Sequence, residues 1–128
     1  MADPELLRTV PVYPCTDVDR SIEWYRDVLG LEAVHVNPGP EVDHPTNYAV
    51  LVRGDVSLHL VRDVEQDFGK TGPCEAMFEV TSGIDDLFAA LVEGGARVMR
   101  PIQGRPWGAR DFTILDPDGN AVWLSETK

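Results

Sequence analysis

The sequence predicts an α+β domain made of two successive strand, helix, three-strand (βαβββ) units. Three observations predict it. Apolar side chains recur at near 3.6-residue spacing twice, over 18–29 and again over 84–92, and three stretches of strand character follow each run. A hydroxyl residue stands three places before an aspartate at both helix starts, Thr16 before Asp19 and Ser82 before Asp85, the spacing in which the two side chains satisfy each other's backbone donors. Glycine closes both helices, Gly30 the first and the pair Gly94 and Gly95 the second.

The elements follow in order. Residues 9–13, TVPVY, form a short strand at an edge or an irregularity, because Pro11 has no backbone donor. In the first helix Val18, Ile22, Tyr25 and Leu29 share one side, while Asp19, Glu23, Arg26 and Asp27 face water. LEAVHV at 31–36 is a strand, and the three prolines of 37–45 make a loop. NYAVLVR at 47–53 and VSLHLV at 56–61 pair as a hairpin over Gly54 and Asp55. A first unit thus covers 8–61, a crossing linker 62–73 and a second unit 74–125 of a single domain, 1–128. In the second unit EAMFEV at 75–80 precedes a helix carrying Ile84, Leu87, Phe88, Leu91 and Val92 on one face. ARVMRPI, ARDFTIL and AVWL are the remaining strands. The last two flank DPDGN, where Pro117 presets one turn angle and Gly119 supplies a positive one.

Composition narrows the function. The 128 residues hold 22 acidic against 11 basic side chains, a formal charge of −11, which excludes a bulk nucleic-acid-binding role. No segment approaches the apolar length that spans a membrane, and MADPELLRTV lacks an export signature, so a cytoplasmic protein is expected. Cys15 and Cys74 are too few for a disulfide framework and are expected as thiols. GRPWGAR at 104–110 has two glycines without the spacing of a nucleotide loop, and no serine or cysteine sits in a nucleophile motif.

Strand alternation points to a pocket. One helix per unit covers one sheet face, so the other face must meet a ligand, a second sheet or another subunit. If Val56, Leu58 and Leu60 face the helix, Ser57, His59 and Val61 lie opposite. By the same rule Ala76, Phe78 and Val80 leave Glu75, Met77 and Glu79 opposite, and Val122 with Leu124 leaves Trp123 opposite. His, Glu, Met and Trp on one face make a binding surface. Each also has a structural alternative: His59 as a hydrogen-bonded internal side chain, Glu75 as partner of His59 or Arg110, Met77 as core filler, and Trp123 as a core or dimer contact. Arg105 and Arg110 either bind an anionic ligand group or brace an internal carboxylate.

DVDRSIEWYRDVLGLE at 17–32 and PWGARDFTILDPDGNAVWL at 106–124 resemble the first helix and final hairpin of the vicinal oxygen chelate superfamily, which includes glyoxalases, extradiol dioxygenases and bleomycin-resistance proteins. The resemblance runs from Arg8 to Ser125. It implies curved mixed sheets around a cup-shaped cavity, and a homodimer. Metal-dependent members hold a divalent ion with residues on the first, fourth, fifth and eighth strands, and by resemblance those positions are Val10, His59, Glu75 and Trp123 here. Valine has no donor atom and the indole nitrogen bears a proton, so two ligands remain. Completing such a site would take a shifted His35 or His44, water or a chelating substrate. The expectation is therefore a small-molecule binding or sequestering protein with no metal or other cofactor, closest to the bleomycin-resistance branch. Its ligand-binding residues would be Ser57, His59, Glu75, Met77, Arg110 and Trp123, and the resemblance adds Trp107 near the groove mouth. A cationic antibiotic of the bleomycin type is the implied ligand, and an acidic field would attract it. The alternatives are a divalent-metal-dependent lyase, transferase or dioxygenase using His59 and Glu75 as catalytic groups, or a protein whose pocket has closed and whose role is assembly. The loops 37–45 and 62–73 are the candidates for opening the cup.

Overall fold

The computed structural model describes residues 4–38, 42–62 and 73–127. Among these the order is β1 (Val12–Cys15), α1 (Val18–Leu29), β2 (Glu32–Asn37), β3 (Tyr48–Arg53), β4 (Val56–Arg62), β5 (Glu75–Glu79), α2 (Ile84–Glu93), β6 (Arg97–Gly104), β7 (Ala109–Leu115) and β8 (Ala121–Thr127). The strands form two four-stranded mixed sheets of matching topology, β1-β4-β3-β2 and β5-β8-β7-β6. Each unit's first strand pairs in parallel with its last, β1 with β4 and β5 with β8, and the other ladders are antiparallel. That is the predicted α+β architecture. Most of the crossing at 62–73 lies outside the described residues.

The helix starts differ from the sequence expectation for a tertiary reason. Asp17, not Thr16, caps α1, its Oδ1 accepting the Arg20 N–H at 3.1 Å. Thr16 is drawn away, donating its hydroxyl to Asp118 Oδ1 at 2.8 Å across the domain. At α2 the N-cap is Gly83 with φ 78°, and no side chain of the segment itself caps it. Glu126 of β8 does so instead, Oε1 accepting the Ile84 N–H at 3.1 Å, while Asp85 turns to Arg110. The capping-box echo at Ser82 is therefore not formed. Gly30 closes α1 with φ 68° as expected, and a Cβ there would stand only 3.3 Å from the Arg53 guanidinium.

The helices cover one face of each sheet. Leu51, Leu58, Leu60, Ile114 and Val122 are fully buried beneath them, and each such aliphatic side chain contributes about 2 kcal/mol by leaving water. Phe88 of α2 meets Phe112 of β7 edge to face, with centroids 5.0 Å apart.

The units are bolted together at the β7–β8 turn. Tyr13 donates its hydroxyl to the Ala121 carbonyl at 2.6 Å, and Asn120 Nδ2 donates to the Pro14 carbonyl at 2.8 Å. Asp116, 1% exposed, is the hub. Its Oδ1 accepts the N–H groups of Asp118 and Asn120, and its Oδ2 accepts the Tyr25 hydroxyl at 2.7 Å and Asn120 Nδ2 at 3.0 Å. This junction sets how the two sheet faces sit beside each other.

Candidate functional site

The ladders fix which side chains share a row on the faces away from the helices. His59 lies level with Val12 on β1 and Val50 on β3, and Val50 with His35 on β2. Trp123 lies level with Met77 on β5 and Thr113 on β7, and Thr113 with Arg100 on β6. The intervening residues Leu58, Leu60, Val122 and Leu124 are buried under the helices, so the period-two argument places Ser57, His59, Met77 and Trp123 on the open faces.

The two faces meet at a seam. A recess of about 280 Å³ there is bordered by Thr9 and Pro11 leading into β1, by Ser57 of β4, and by Met77 and Glu79 of β5. The Ser57 hydroxyl is buried without a hydrogen-bond partner, and so is the Trp123 indole nitrogen. A buried polar atom left unpaired costs about 1–3 kcal/mol, and of the two Ser57 borders the recess while Trp123 stands outside its lining. Met77 is 47% exposed and offers apolar surface beside Trp123.

His59 is held by Tyr48, whose hydroxyl lies 2.6 Å from Nδ1, with the rings edge to face. Burial first, then the nearby charge of Arg8, hold its pKa below the usual imidazole value, so the ring is neutral at pH 7. Burial also raises the Tyr48 pKa and keeps its proton. A Tyr48 hydroxyl donating to Nδ1 leaves the imidazole Nε2–H as a donor.

Glu75 pairs with neither His59 nor Arg110 but with Arg100. Arg100 also donates from Nε to Thr113 Oγ1 at 2.8 Å, and its guanidinium lies 5.4 Å from the Trp123 ring centroid. The expectation for Arg110 is corrected. It stands level with Glu126 on the helix side of β7 and grips Asp85 of α2 with two hydrogen bonds of 2.6 and 3.0 Å. The reason is parity, since Arg110 is one residue out of step with Asp111 and Thr113. Trp107, 67% exposed, stands in the β6–β7 connection with Arg105 5.9 Å from its ring. Arg105 Nε in turn donates to both oxygens of the buried Asp111, at 2.9 and 3.0 Å. Arg105 is thus the brace for an internal carboxylate.

These residues do not fit a divalent ion. Of the four positions that the resemblance names, Val10 has no donor atom, the Trp123 indole nitrogen bears a proton and Glu75 is held by Arg100, which leaves His59. Among the described residues no three His, Cys, Asp or Glu side chains gather as a metal-binding group. His44 is turned to its neighbour, Nδ1 lying 2.9 Å from the Pro45 carbonyl.

A larger groove of about 500 Å³ opens on the helix side, between the end of α1, the β3–β4 turn and β5, and is bordered by Val28, Val56, Phe78 and Leu87. Size alone does not make it the site. Its arginine, Arg53, is occupied by the Leu29 carbonyl at 2.9 Å, and neither buried unpartnered side-chain atom of the described residues belongs to its lining.

Sequence reasoning missed Tyr48 and Arg100. Tyr48 was recoverable, because YAVLVR alternates as cleanly as β4 and puts Tyr48, Val50 and Val52 on the open face. Arg100 was not, because two register shifts in the β6–β7 ladder break the alternation from which its direction would be read.

Comparison with known proteins adds the family. Residues 8–124 match the model of the glyoxalase/bleomycin resistance protein/dioxygenase superfamily. The chain is 27% identical to a bleomycin resistance protein of Geobacillus stearothermophilus over 135 aligned positions, covering 91% of this chain and 94% of that one. It is 29% identical to a probable lactoylglutathione lyase of Vibrio parahaemolyticus, covering 88% and 84%. Among solved structures, TioX from Micromonospora sp. ML1 superposes with a TM-score of 0.78 at 21% identity over 95% of this chain and 99% of the other.

Proposed function

Because the chain belongs to the glyoxalase/bleomycin resistance protein/dioxygenase superfamily, we propose that it is a small-molecule binding or sequestering protein that works without a catalytic metal. The observation that carries this reading is the pair of buried, unpartnered polar atoms, Ser57 Oγ and Trp123 Nε1, on faces where the donor set for an ion is missing. Ser57, His59, Met77 and Trp123 line the ligand surface. Glu75 contributes by fixing Arg100 over Trp123, and Trp107 offers an exposed ring at one end of β7 on which a planar group can stack. The formal charge of −11 favours a ligand with cationic character, in keeping with the bleomycin resistance proteins among the relatives. A homodimer completes the proposal, since Leu6, Leu7, Val34 and Met99 expose apolar surface that a second copy would cover. A cytoplasmic location fits two reduced thiols, and no described helix is long and apolar enough to cross a membrane.

Titration calorimetry with metal-free bleomycin, on protein purified without chelators, tests the proposal. The expected result is reversible stoichiometric binding with no consumption of the ligand. Near-stoichiometric iron, manganese, nickel or zinc in the purified protein would overturn it. The lyase relatives favour a second reading, a metal-dependent lyase, transferase or dioxygenase using His59 and Glu75. Lactoylglutathione formation on addition of nickel or zinc, lost in His59→Ala, would establish that reading instead.

A further inference from the structure

We infer that the groove on the helix side is a second binding site, separate from the ligand surface on the open faces, and that it takes a single-chain amphiphile with a primary ammonium head. The lining comes first. Buried Leu31 and Leu124 and half-buried Val28, Val56, Phe78 and Leu87 present apolar surface to a space of about 500 Å³, a volume within the range of small-ligand sites. Those side chains belong to both units, since Val28 lies on α1, Val56 on β4, Phe78 on β5 and Leu87 on α2. A hydrocarbon chain suits such a lining, because its methylenes gain by leaving water and need no directional partner.

The charges around the groove choose the head group. Two charged side chains border it, Arg53 and Glu79. Arg53 is spent, donating from Nη1 to the Leu29 carbonyl at 2.9 Å, where the closing carbonyls of α1 carry partial negative charge. The positive end of α2, near Leu87, is met by Asp85 and Asp86 of its own first turn. Glu79 is different. Among the described residues its carboxylate enters no ion pair, and neither does that of Asp55, which joins Glu79, Val56 and Phe78 around the smaller recess beside the groove. Two uncompensated carboxylates next to an apolar groove call for a cation at one end of the chain and repel an anion. A primary ammonium, with three donors, serves both carboxylates at once through charge-assisted hydrogen bonds.

The test titrates hexyl-, octyl- and decylammonium chloride, below their micelle concentrations, into the full chain by calorimetry at neutral pH. Saturable binding of one molecule per chain is expected, tightening about threefold per added methylene, with decanoate at least about tenfold weaker than decylammonium. The double variant Asp55→Asn/Glu79→Gln should weaken decylammonium about fivefold and leave 1-decanol unchanged. A control, Glu23→Gln/Glu93→Gln, removes the same charge from exposed positions elsewhere and should leave both unchanged, which separates the site from the general attraction of an acidic protein. A readout independent of any variant is the wild-type amide spectrum, in which Gly54, Phe78 and Leu87 should shift with decylammonium while His35 and His59 hold. Absence of saturable binding, as when a second copy already covers the groove, would overturn the inference. Decanoate binding as tightly as decylammonium, equal weakening in the control, or shifts confined to the open-face residues would each do the same.

Discussion

Asp116→Asn should destabilise the domain by about 3 kcal/mol through the geometry at one atom. The substitution preserves the oxygen that accepts the Asp118 and Asn120 N–H groups at 2.9 Å each. It turns the other oxygen into an NH2 facing two donors, the Tyr25 hydroxyl at 2.7 Å and Asn120 Nδ2 at 3.0 Å. Tyr25 can rotate its proton and accept. Asn120 cannot, because its Nδ2 also donates to Pro14 while its Oδ1 holds the Cys74 N–H at 2.9 Å, so turning the amide over trades one loss for another. Two buried amide N–H groups, one from each residue, then face each other without an acceptor, at about 1 kcal/mol each, and the retained bonds lose charge assistance at about 1 kcal/mol. The expected fall in Tm is roughly 10 °C for a domain of this size. Urea unfolding followed by tryptophan fluorescence measures it, with Tyr25→Phe costing about 2 kcal/mol as the companion variant. The double variant should cost less than the sum, since both changes act on the same oxygen. If Asp116→Asn unfolds within about 0.5 kcal/mol of the parent, the junction is not the pin described here.

Three further outcomes follow from the same geometry. Removing the borrowed cap with Glu126→Ala should cost about 1 kcal/mol and speed hydrogen exchange at the Ile84 amide, and unchanged protection there would refute the cap. The His59 Cε1 proton should titrate with a midpoint below 6.5, and Arg8→Gln should move that midpoint upward. Because the folded midpoint is the lower one, the His59 contribution to stability is present above 6.5 and is lost as pH falls toward the folded value; a midpoint at or above 6.5 would contradict the burial argument. Burial pushes the Cys15 thiol up to about 12, so a thiol-specific disulfide reagent at pH 8 should reach it only on unfolding, after the half-buried Cys74; immediate labelling of Cys15 in the native protein would refute this.

Strand and helix placement was readable because both depend on local periodicity, and β7 begins and ends where ARDFTIL does. The facing of Ser57, His59, Met77 and Trp123 was readable for the same reason. Partnership was less so. Thr16, Asp85, Glu75 and Arg110 each carry local motifs or chemistry suggesting one partner, and each takes another 25 to 102 residues away, Asp118, Arg110, Arg100 and Asp85 respectively. Nothing in a window of sequence encodes such choices, because they depend on which strands lie side by side.

The two helices, so alike in sequence pattern, differ in what they need from the rest of the chain. The first carries its own initiator, Asp17, directly ahead of its first turn. The second begins at a left-handed glycine and takes its acceptor from Glu126, 42 residues downstream. Its first turn is therefore complete only once β8 has been made, and Glu126→Ala, which spares every ligand-facing side chain, would leave that helix frayed.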